Sequence, residues 1–319
     1  MSTAGPVPAV VDAAGQGIVP TVAELVALRA EAQRTPQPRR GRHGVHGSAP
    51  SALRGRGMEY AESREYVAGD DVRRMDWRLT ARSGRAHTKL FQAERERLTL
   101  LVADTAPALY FGTRVRFKSV QAARAGAVAV WTALQAGDRI AALRGGEPAI
   151  PPATGLRGAM RVLDALARWY ARPPQDDAGL EVALEHAQRL LRPGAQLLVL
   201  ADAASASRVP ALRWTALARH HQATLVLLQD PLETSPPRGE FAFRAGLRRL
   251  QVALDRAAVR GRWHQAFVEP AQELSRTLPG LGWQVRCLSS DAASGDWLRP
   301  RDAGMAGSGQ EATPLSADG

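Results

Sequence analysis

The sequence has almost no cysteine and almost no lysine. Cys287 is the only cysteine among 319 residues, which excludes an intrachain disulfide and a cysteine-rich zinc module. Such a chain is typical of a reducing compartment, and we expect a cytoplasmic protein. Lys89 and Lys118 are the only lysines among 42 basic residues, so the formal net charge of +11 comes almost entirely from arginine.

Long apolar runs are also missing. The nearest candidate, residues 98–111, is interrupted by Asp104 and Pro107, whereas a helix needs about 20 apolar residues to cross a bilayer. The N-terminus lacks the basic segment followed by an apolar segment that marks a signal peptide. We therefore expect no membrane span. Because 45% of the residues are hydrophobic, the chain can still bury a substantial core.

Common enzyme motifs are absent as well. The sequence contains no Walker A loop, no strand followed by G-x-G-x-x-G and a helix, and no G-x-S-x-G elbow. His43 and His46 share a loop without a third nearby ligand, which argues against zinc. We expect Cys287 to be a small core residue, because it lies in a predicted strand without a histidine partner.

The excess of arginine raises the possibility of nucleic-acid binding, because a basic surface attracts phosphate. The basic residues are scattered, however, and no zinc-finger, RNA-recognition or basic-zipper motif accompanies them. Arginine is abundant together with alanine, glycine and proline. This indicates that the positive charge reflects the overall amino-acid composition of the source rather than a selected basic surface. We therefore expect no nucleic-acid partner, although an acidic protein or an anionic membrane surface would use the same charge.

A dense run of charged and aromatic residues lies between residues 64 and 82, without helical or strand periodicity. We expect the following residues of this run to form a structural or docking cluster: Arg64, Tyr66, Asp70, Asp71, Arg73, Asp76, Trp77 and Arg82. Arginine can bind a carboxylate through two parallel hydrogen bonds, so we predict a rigid, charge-paired cap. A solvated surface of mixed charge is the alternative. Gly69 suits a turn ahead of the two aspartates.

From Leu98 onward, short apolar runs alternate with helical segments. The runs before Asp104 and Asp202, and a third at residues 224–228, have the form of buried parallel strands. This alternation predicts an α/β fold, with a doubly wound, mostly parallel sheet and helices on both faces. Glycines 145 and 146 predict a hairpin. We expect an edge strand at 251–254 and the last strand at 283–288.

The same reading divides the chain into four regions. Residues 1–40 are expected to form a disordered tail and a short helix that begins after Thr21. Residues 41–97 form a small, β-rich, charged subdomain in this prediction. Residues 98–298 form the α/β domain, and residues 299–319 form a second disordered tail.

Several motifs, taken in order, resemble the bacterial domain-of-unknown-function family 58. The main one is R-x-Y-x-x-G-D-D-x-R-x-x-D-W-x-x-x-A-R at residues 64–82, with matching flanks at 55–60 and 89–96. Further matches are L-A-D at 200–202 and D-P-L-E at 230–233. The resemblance implies a von Willebrand factor A-like domain, usually encoded beside a MoxR-type AAA+ ATPase. It implies no known reaction.

The resemblance also implies a degenerate metal-ion-dependent adhesion site. Related domains hold Mg²⁺ with an Asp-x-Ser-x-Ser loop, a threonine and a second aspartate. Here the loop begins at Asp104 and reads D-T-A-P-A, Ala178 stands at the threonine position, and Asp202 is the second aspartate. Because parallel strands end at one edge, Asp104 and Asp202 should lie close together. We expect them to cap helices and bind loop amides rather than hold Mg²⁺.

The sequence thus favours a non-enzymatic interaction module, an adaptor that docks a MoxR-type AAA+ ATPase or its client. Other von Willebrand A-like proteins are further candidate partners. One alternative is a metal-dependent enzyme using Asp104 and Asp202 with Asp70 or Asp71, which requires these carboxylates to converge in one cleft. The other is an arginine-driven nucleic-acid binder, which requires a continuous basic stripe and steep salt dependence.

Overall fold

The computed structural model describes residues 17–34, 58–93, 97–175, 178–245 and 248–299. It separates into two compact units, one formed by Met1–Pro38 and Leu98–Gly319 and the other by Arg39–Arg97. The two predicted tails, apart from residues 17–34 and Arg299, lie outside the described residues, as does the loop that contains the two histidines.

The strands, in chain order, are β1 (Met58–Glu65), β2 (His87–Ala93), β3 (Leu98–Ala103), β4 (Arg139–Arg144), β5 (Ile150–Ala153), β6 (Gln196–Asp202), β7 (Gln222–Gln229), β8 (Glu240–Ala245), β9 (Arg248–Ala253) and β10 (Trp283–Ser289). The helices are α1 (Val22–Ala27), α2 (Arg29–Arg34), α3 (Trp77–Ser83), α4 (Lys118–Gln135), α5 (Gly155–Trp169), α6 (Gly179–Leu190), α7 (Ala203–Ala206), α8 (Ala211–Ala218), α9 (Pro231–Thr234), α10 (Ala257–Phe267) and α11 (Glu269–Thr277).

The larger unit is built on a six-stranded sheet with the order β10-β7-β6-β3-β4-β5. All neighbouring strands are parallel except β5, which is antiparallel to β4. The predicted α/β class and the hairpin at glycines 145 and 146 are therefore confirmed. The strand order reverses between β3 and β6, so the topological switch point lies at the carboxyl ends of these two strands.

Helices cover both faces of this sheet. Strand β3 is apolar except for Thr99, because its residues alternate between two cores. Leu101 belongs to the core shared with α4 and α5, whereas Leu100 and Val102 belong to the core under α6, α8 and α11. Within the described residues, no helix combines the length and apolar character that crossing a bilayer requires.

The N-terminal helices belong to the larger unit. The Thr21 hydroxyl accepts a hydrogen bond from the Glu24 amide at 3.2 Å, which caps α1 as the sequence predicts. Leu25 and Leu28 are buried in the core that includes α4 and α5. The Trp131 indole of α4 donates to the Leu25 carbonyl at 3.0 Å, so this segment is packed against the α/β core.

Two predictions about the C-terminal part are wrong. The strand expected at 251–254 is not an edge of the main sheet, because β9 pairs with β8 in a separate antiparallel hairpin. Leu250 is exposed there, as suits a solvated hairpin. Cys287 is exposed rather than part of the core. It lies on β10, an edge strand that is paired on one side only.

In the smaller unit, β1 and β2 form an antiparallel pair whose connection carries the charged cluster. The Asp76 amide donates to the His87 carbonyl at 2.8 Å, and the His87 amide donates to the Thr80 hydroxyl at 3.0 Å. These bonds hold the start and the middle of α3 to the first residue of β2. Gly69 has a φ of 108°, which provides the predicted turn.

Candidate functional site

Four carboxylates gather at the carboxyl edge of the parallel sheet. Asp104 directly follows β3, Asp202 ends β6, Asp230 directly follows β7, and Glu233 lies in α9. All four side chains are buried. The topology thus brings the two aspartates singled out by the sequence, Asp104 and Asp202, to one place.

A lysine of the protein itself lies among these carboxylates and supplies a positive charge. Lys118 is the first residue of α4 and is 1% exposed. Its Nζ donates to Asp202 Oδ2 at 2.6 Å and to Glu233 Oε1 at 2.6 Å. Burial opposes the charge on the ammonium group, but attraction to the two carboxylates outweighs burial and raises the pKa of Lys118 above its ordinary value. Lys118 therefore stays charged.

Backbone amides occupy the remaining oxygens of the lysine's two partners. Asp202 Oδ1 accepts a hydrogen bond from the Ala204 amide at 2.8 Å and so caps α7. Glu233 Oε2 accepts one from the Asp230 amide at 2.9 Å, as part of a capping box on α9. Each carboxylate is thus fixed by an amide on one oxygen and by the ammonium group on the other.

Asp104 is held by amides as well. Its Oδ1 accepts from the Ala106 amide at 3.0 Å, and its Oδ2 accepts from the Asp202 amide at 3.1 Å. Burial raises the pKa of Asp104 to about 6, despite these two bonds. Asp104 therefore ties the end of β3 to the end of β6 and is costly to ionise.

Asp230 joins the loops around the same edge. Its carboxylate accepts hydrogen bonds from the Thr113 amide and hydroxyl, at 3.0 and 2.5 Å, and from the Ser290 hydroxyl at 2.7 Å. Thr113 precedes α4, and Ser290 follows β10. The Leu232 amide adds a bond at 3.0 Å. Asp230 is therefore fully occupied as a structural acceptor.

The carboxylate oxygens of this site do not form a ligand set that fits Mg²⁺. A magnesium ion requires near-octahedral oxygen ligands at about 2.0–2.1 Å, but Asp202 and Glu233 face an ammonium group and Asp104 faces two amides. Ala106 and Ala108 offer methyl groups at the two serine positions. Among the described residues, no group of three or more His, Cys, Asp or Glu side chains could hold a metal ion.

Sequence reasoning missed Lys118 and Glu233 as members of this site. The available signal was weak: Lys118 is one of only two lysines in the chain. Glu233 belongs to the D-P-L-E motif at residues 230–233, but the sequence alone does not show what this motif does.

Among the aspartates of the charged cluster, Asp70 pairs with an arginine as predicted, whereas Asp71 and Asp76 bond to backbone amides. Arg64 Nη2 donates to Asp70 Oδ1 at 2.7 Å, a single bond rather than a fork. Asp71 accepts from the Arg73 amide at 3.0 Å, and Asp76 accepts from the Leu79 amide at 3.0 Å. Asp71 and Asp76 therefore cap helical turns. The bond from the Leu79 amide is the main reason that the pKa of Asp76 lies below its usual range.

A second bond fixes Asp76 within the smaller unit. The Ser63 hydroxyl of β1 donates to Asp76 Oδ2 at 2.9 Å. Since Asp76 is the N-cap of α3, its carboxylate joins the start of this helix to the hairpin. Tyr66, another member of the charged cluster, is half-buried. Its backbone amide donates to the Ala86 carbonyl at 2.8 Å.

One face of α3 is exposed to solvent, and we call it the α3 face. It consists of Trp77, Arg78, Ala81 and Arg82, which share a side of the helix because they are one, four and five positions apart. The Trp77 side chain is 67% exposed. Arg73, in the preceding turn, is exposed too. The cluster thus combines a capped base with an outer surface of one aromatic ring and several arginines.

Comparison with known protein families shows which family this chain belongs to. A family model described as "Protein of unknown function DUF58" matches residues 62–273, about two thirds of the sequence. The chain belongs to the DUF58 family. Uncharacterised proteins of Mycobacterium tuberculosis and Mycobacterium bovis are 30% identical to it over 265 residues, which covers 80% of this chain and 80% of each relative. No solved structure matches it. The match to DUF58 includes both the α3 face and the Lys118 site.

Proposed function

We propose that this DUF58 protein is a non-enzymatic adaptor and that it binds its partner through the α3 face. The observation that carries the proposal is Trp77, a large aromatic side chain that is 67% exposed beside Arg78 and Arg82. Tryptophan and arginine are the residues most enriched among those that dominate binding energy at protein interfaces.

The base of α3 favours binding with little loss of entropy. Asp76 caps the helix and bonds to Ser63, and His87 contributes two backbone bonds to the same helix. A helix that is fixed before binding presents its side chains in a defined arrangement, so less conformational freedom is lost when the partner arrives.

The charge of the α3 face indicates the chemistry of the partner. Arg78 and Arg82 would pair with carboxylates, and the Trp77 ring would bury an apolar side chain. We propose that the occupant is an acidic segment with an apolar anchor on the surface of a MoxR-type AAA+ ATPase. The resemblance described above supplies the ATPase, and the α3 face supplies the complementary charge.

We further propose that the larger unit is a von Willebrand factor A-like domain with a degenerate metal-ion-dependent adhesion site. Two features support this proposal. The sheet reverses its strand order at β3 and β6 and has one antiparallel strand at its edge. Asp104 and Asp202 lie at the switch point, where the resemblance places the two aspartates of such a site.

The occupied carboxylates favour an adaptor over a metal-dependent enzyme. Asp104 and Asp202 engage amides and Lys118, so using them as metal ligands or as general bases would require breaking buried hydrogen bonds. Among the described residues there is no comparable argument for nucleic acid, although the exposed arginines on α3 would also attract phosphate.

Binding to the host's MoxR-type ATPase tests the proposal. We expect affinity purification of the tagged protein to recover this ATPase, identified by mass spectrometry. We expect Trp77→Ala to weaken binding of the purified ATPase at least tenfold, since large interface residues commonly contribute that much. Arg78→Ala with Arg82→Ala should weaken it as well, and more strongly at low salt.

Leu212→Ala is the matched control, because Leu212 on α8 is an apolar residue that is 81% exposed. It should leave binding unchanged. Full binding by Trp77→Ala would contradict the assignment of the α3 face, and failure to recover any AAA+ ATPase would contradict the partner. Binding of DNA or RNA that falls steeply with salt would instead favour the nucleic-acid alternative.

A further inference from the structure

We propose that Lys118 is a resident cation, which replaces a divalent metal at the carboxyl edge of the sheet. A consequence is that removing the lysine side chain uncovers a divalent-cation site formed by Asp202 and Glu233. This inference concerns the larger unit alone and does not depend on the identity of a partner.

The geometry defines a single cation position. Asp202 Oδ2 and Glu233 Oε1 come from segments 31 positions apart in the sequence, yet both lie 2.6 Å from the Nζ of Lys118. Carboxylate oxygens hold calcium at about 2.3–2.6 Å and magnesium at about 2.0–2.1 Å, and they also suit manganese. A divalent ion at the position of Nζ would therefore need only a small movement of the two oxygens.

The two carboxylates are oriented independently of the lysine. Asp202 is held through its other oxygen by the Ala204 amide, and Glu233 is held by the Asp230 amide. These bonds act as an outer shell, because they fix the direction of each carboxylate toward the cation position. Deleting the lysine side chain should leave both oxygens pointing at the same point, with room for water to complete the shell.

Charge gives the second argument. Two buried carboxylates without a cation would repel each other and would lose their hydration, so the pair stays fully ionised only with a positive charge beside it. Lys118 provides one charge that is covalently attached and cannot be removed by a chelator. The site therefore contains a cation at every metal concentration, and a second cation has no place to bind.

The experiment compares Mn²⁺ binding by the wild-type protein and Lys118→Ala. Binding is measured by electron paramagnetic resonance of free Mn²⁺, and stability is measured by thermal unfolding with and without 1 mM Mn²⁺ (about the concentration at which a weak carboxylate site fills). We expect no stoichiometric binding and no shift for the wild-type protein. We expect Lys118→Ala to bind about one ion and to gain roughly 3 °C or more in Tm.

Two further variants test the ligands. Lys118→Ala combined with Glu233→Gln should lose the bound ion and the gain in Tm, because one of the two carboxylates is gone. Lys89→Ala, which removes the other lysine, should behave as the wild-type protein does. A folded Lys118→Ala protein without Mn²⁺ binding would overturn the proposal.

If Lys118→Ala does not fold, Mn²⁺ binding by the wild-type protein still tests the proposal. Stoichiometric Mn²⁺ binding to the wild-type protein that Asp202→Asn abolishes would show that the ammonium group does not occupy the cation position. Absence of such binding, or folding of Lys118→Ala only when Mn²⁺ is added, would support the resident cation.

Discussion

Replacing Lys118 by methionine should strongly destabilise the larger unit. Methionine matches the length of much of the lysine side chain, so the substitution removes the charge with little change in packing volume. The side chains of Asp202 and Glu233 are only 9% exposed and would both lose their cation. Removing one partner from a buried ion pair costs about 3–5 kcal/mol. Domains of this kind have about 5–15 kcal/mol of stability in total.

Urea unfolding at pH 7 measures this loss. Tryptophan fluorescence is a suitable signal, because six of the seven tryptophans lie in the larger unit and only Trp77 lies in the smaller one. Lys89→Met is the matched control. Lys89 is half-buried in the smaller unit, so its removal should change the stability of the larger unit by less than about 1 kcal/mol.

A triple variant separates charge from shape. Adding Asp202→Asn and Glu233→Gln to Lys118→Met removes the two uncompensated charges and keeps an oxygen for the Ala204 and Asp230 amides. We expect it to recover much of the lost free energy, because replacing a whole buried ionic group by neutral residues is often close to neutral. A loss below about 1 kcal/mol in Lys118→Met, or a triple variant no more stable than the single one, would refute this reasoning.

Two further predictions concern Asp104 and Asp76. Because the pKa of Asp104 is raised from 3.8 to about 6, the folded state binds its proton more tightly than the unfolded state does. Its contribution to stability therefore falls by about 2 kcal/mol as the pH rises from 4 to 6. Asp104→Asn should lack this slope in urea unfolding between pH 4 and 7, and parallel curves for both proteins would contradict the prediction. Asp76→Ala removes the cap of α3, so the Leu79 amide should exchange its hydrogen faster, whereas Arg82→Ala should not affect it. Equal exchange rates in all three proteins would argue against the cap.

The sheet and the meeting of Asp104 with Asp202 could be predicted because both follow from local patterns. Each buried strand is a short apolar run, and parallel strands end at one edge. The pairing of Lys118 with Asp202 and Glu233 could not be predicted, since these residues are 84 and 115 positions apart. A lysine at the start of an alanine-rich helix looks like a solvated residue until the loops after β6 and β7 are placed around it.

The charged cluster shows a different reason for error. Asp71 and Asp76 were expected to pair with arginines, but they bond to amides two and three positions away. A short carboxylate beside the start of a helical turn reaches such an amide with little loss of conformational freedom. An exposed arginine must instead order a long side chain to form a pair whose attraction is weak in water. Local capping therefore prevails over arginine pairing at the two helical turns that follow Asp71 and Asp76.

The carboxylates at the carboxyl edge of the sheet already bond to amides, hydroxyl groups and Lys118, which makes this edge an unfavourable place for a partner to bind. A metal-dependent adhesion site works because the ion keeps a coordination position for a carboxylate of the partner. Lys118 is buried and bound to two carboxylates, and Asp104 and Asp230 lie in the same cluster, so an approaching carboxylate would meet net negative charge. The exposed arginines of the α3 face present the opposite charge. If both proposals hold, a chelator should leave partner binding intact, whereas Trp77→Ala should weaken it.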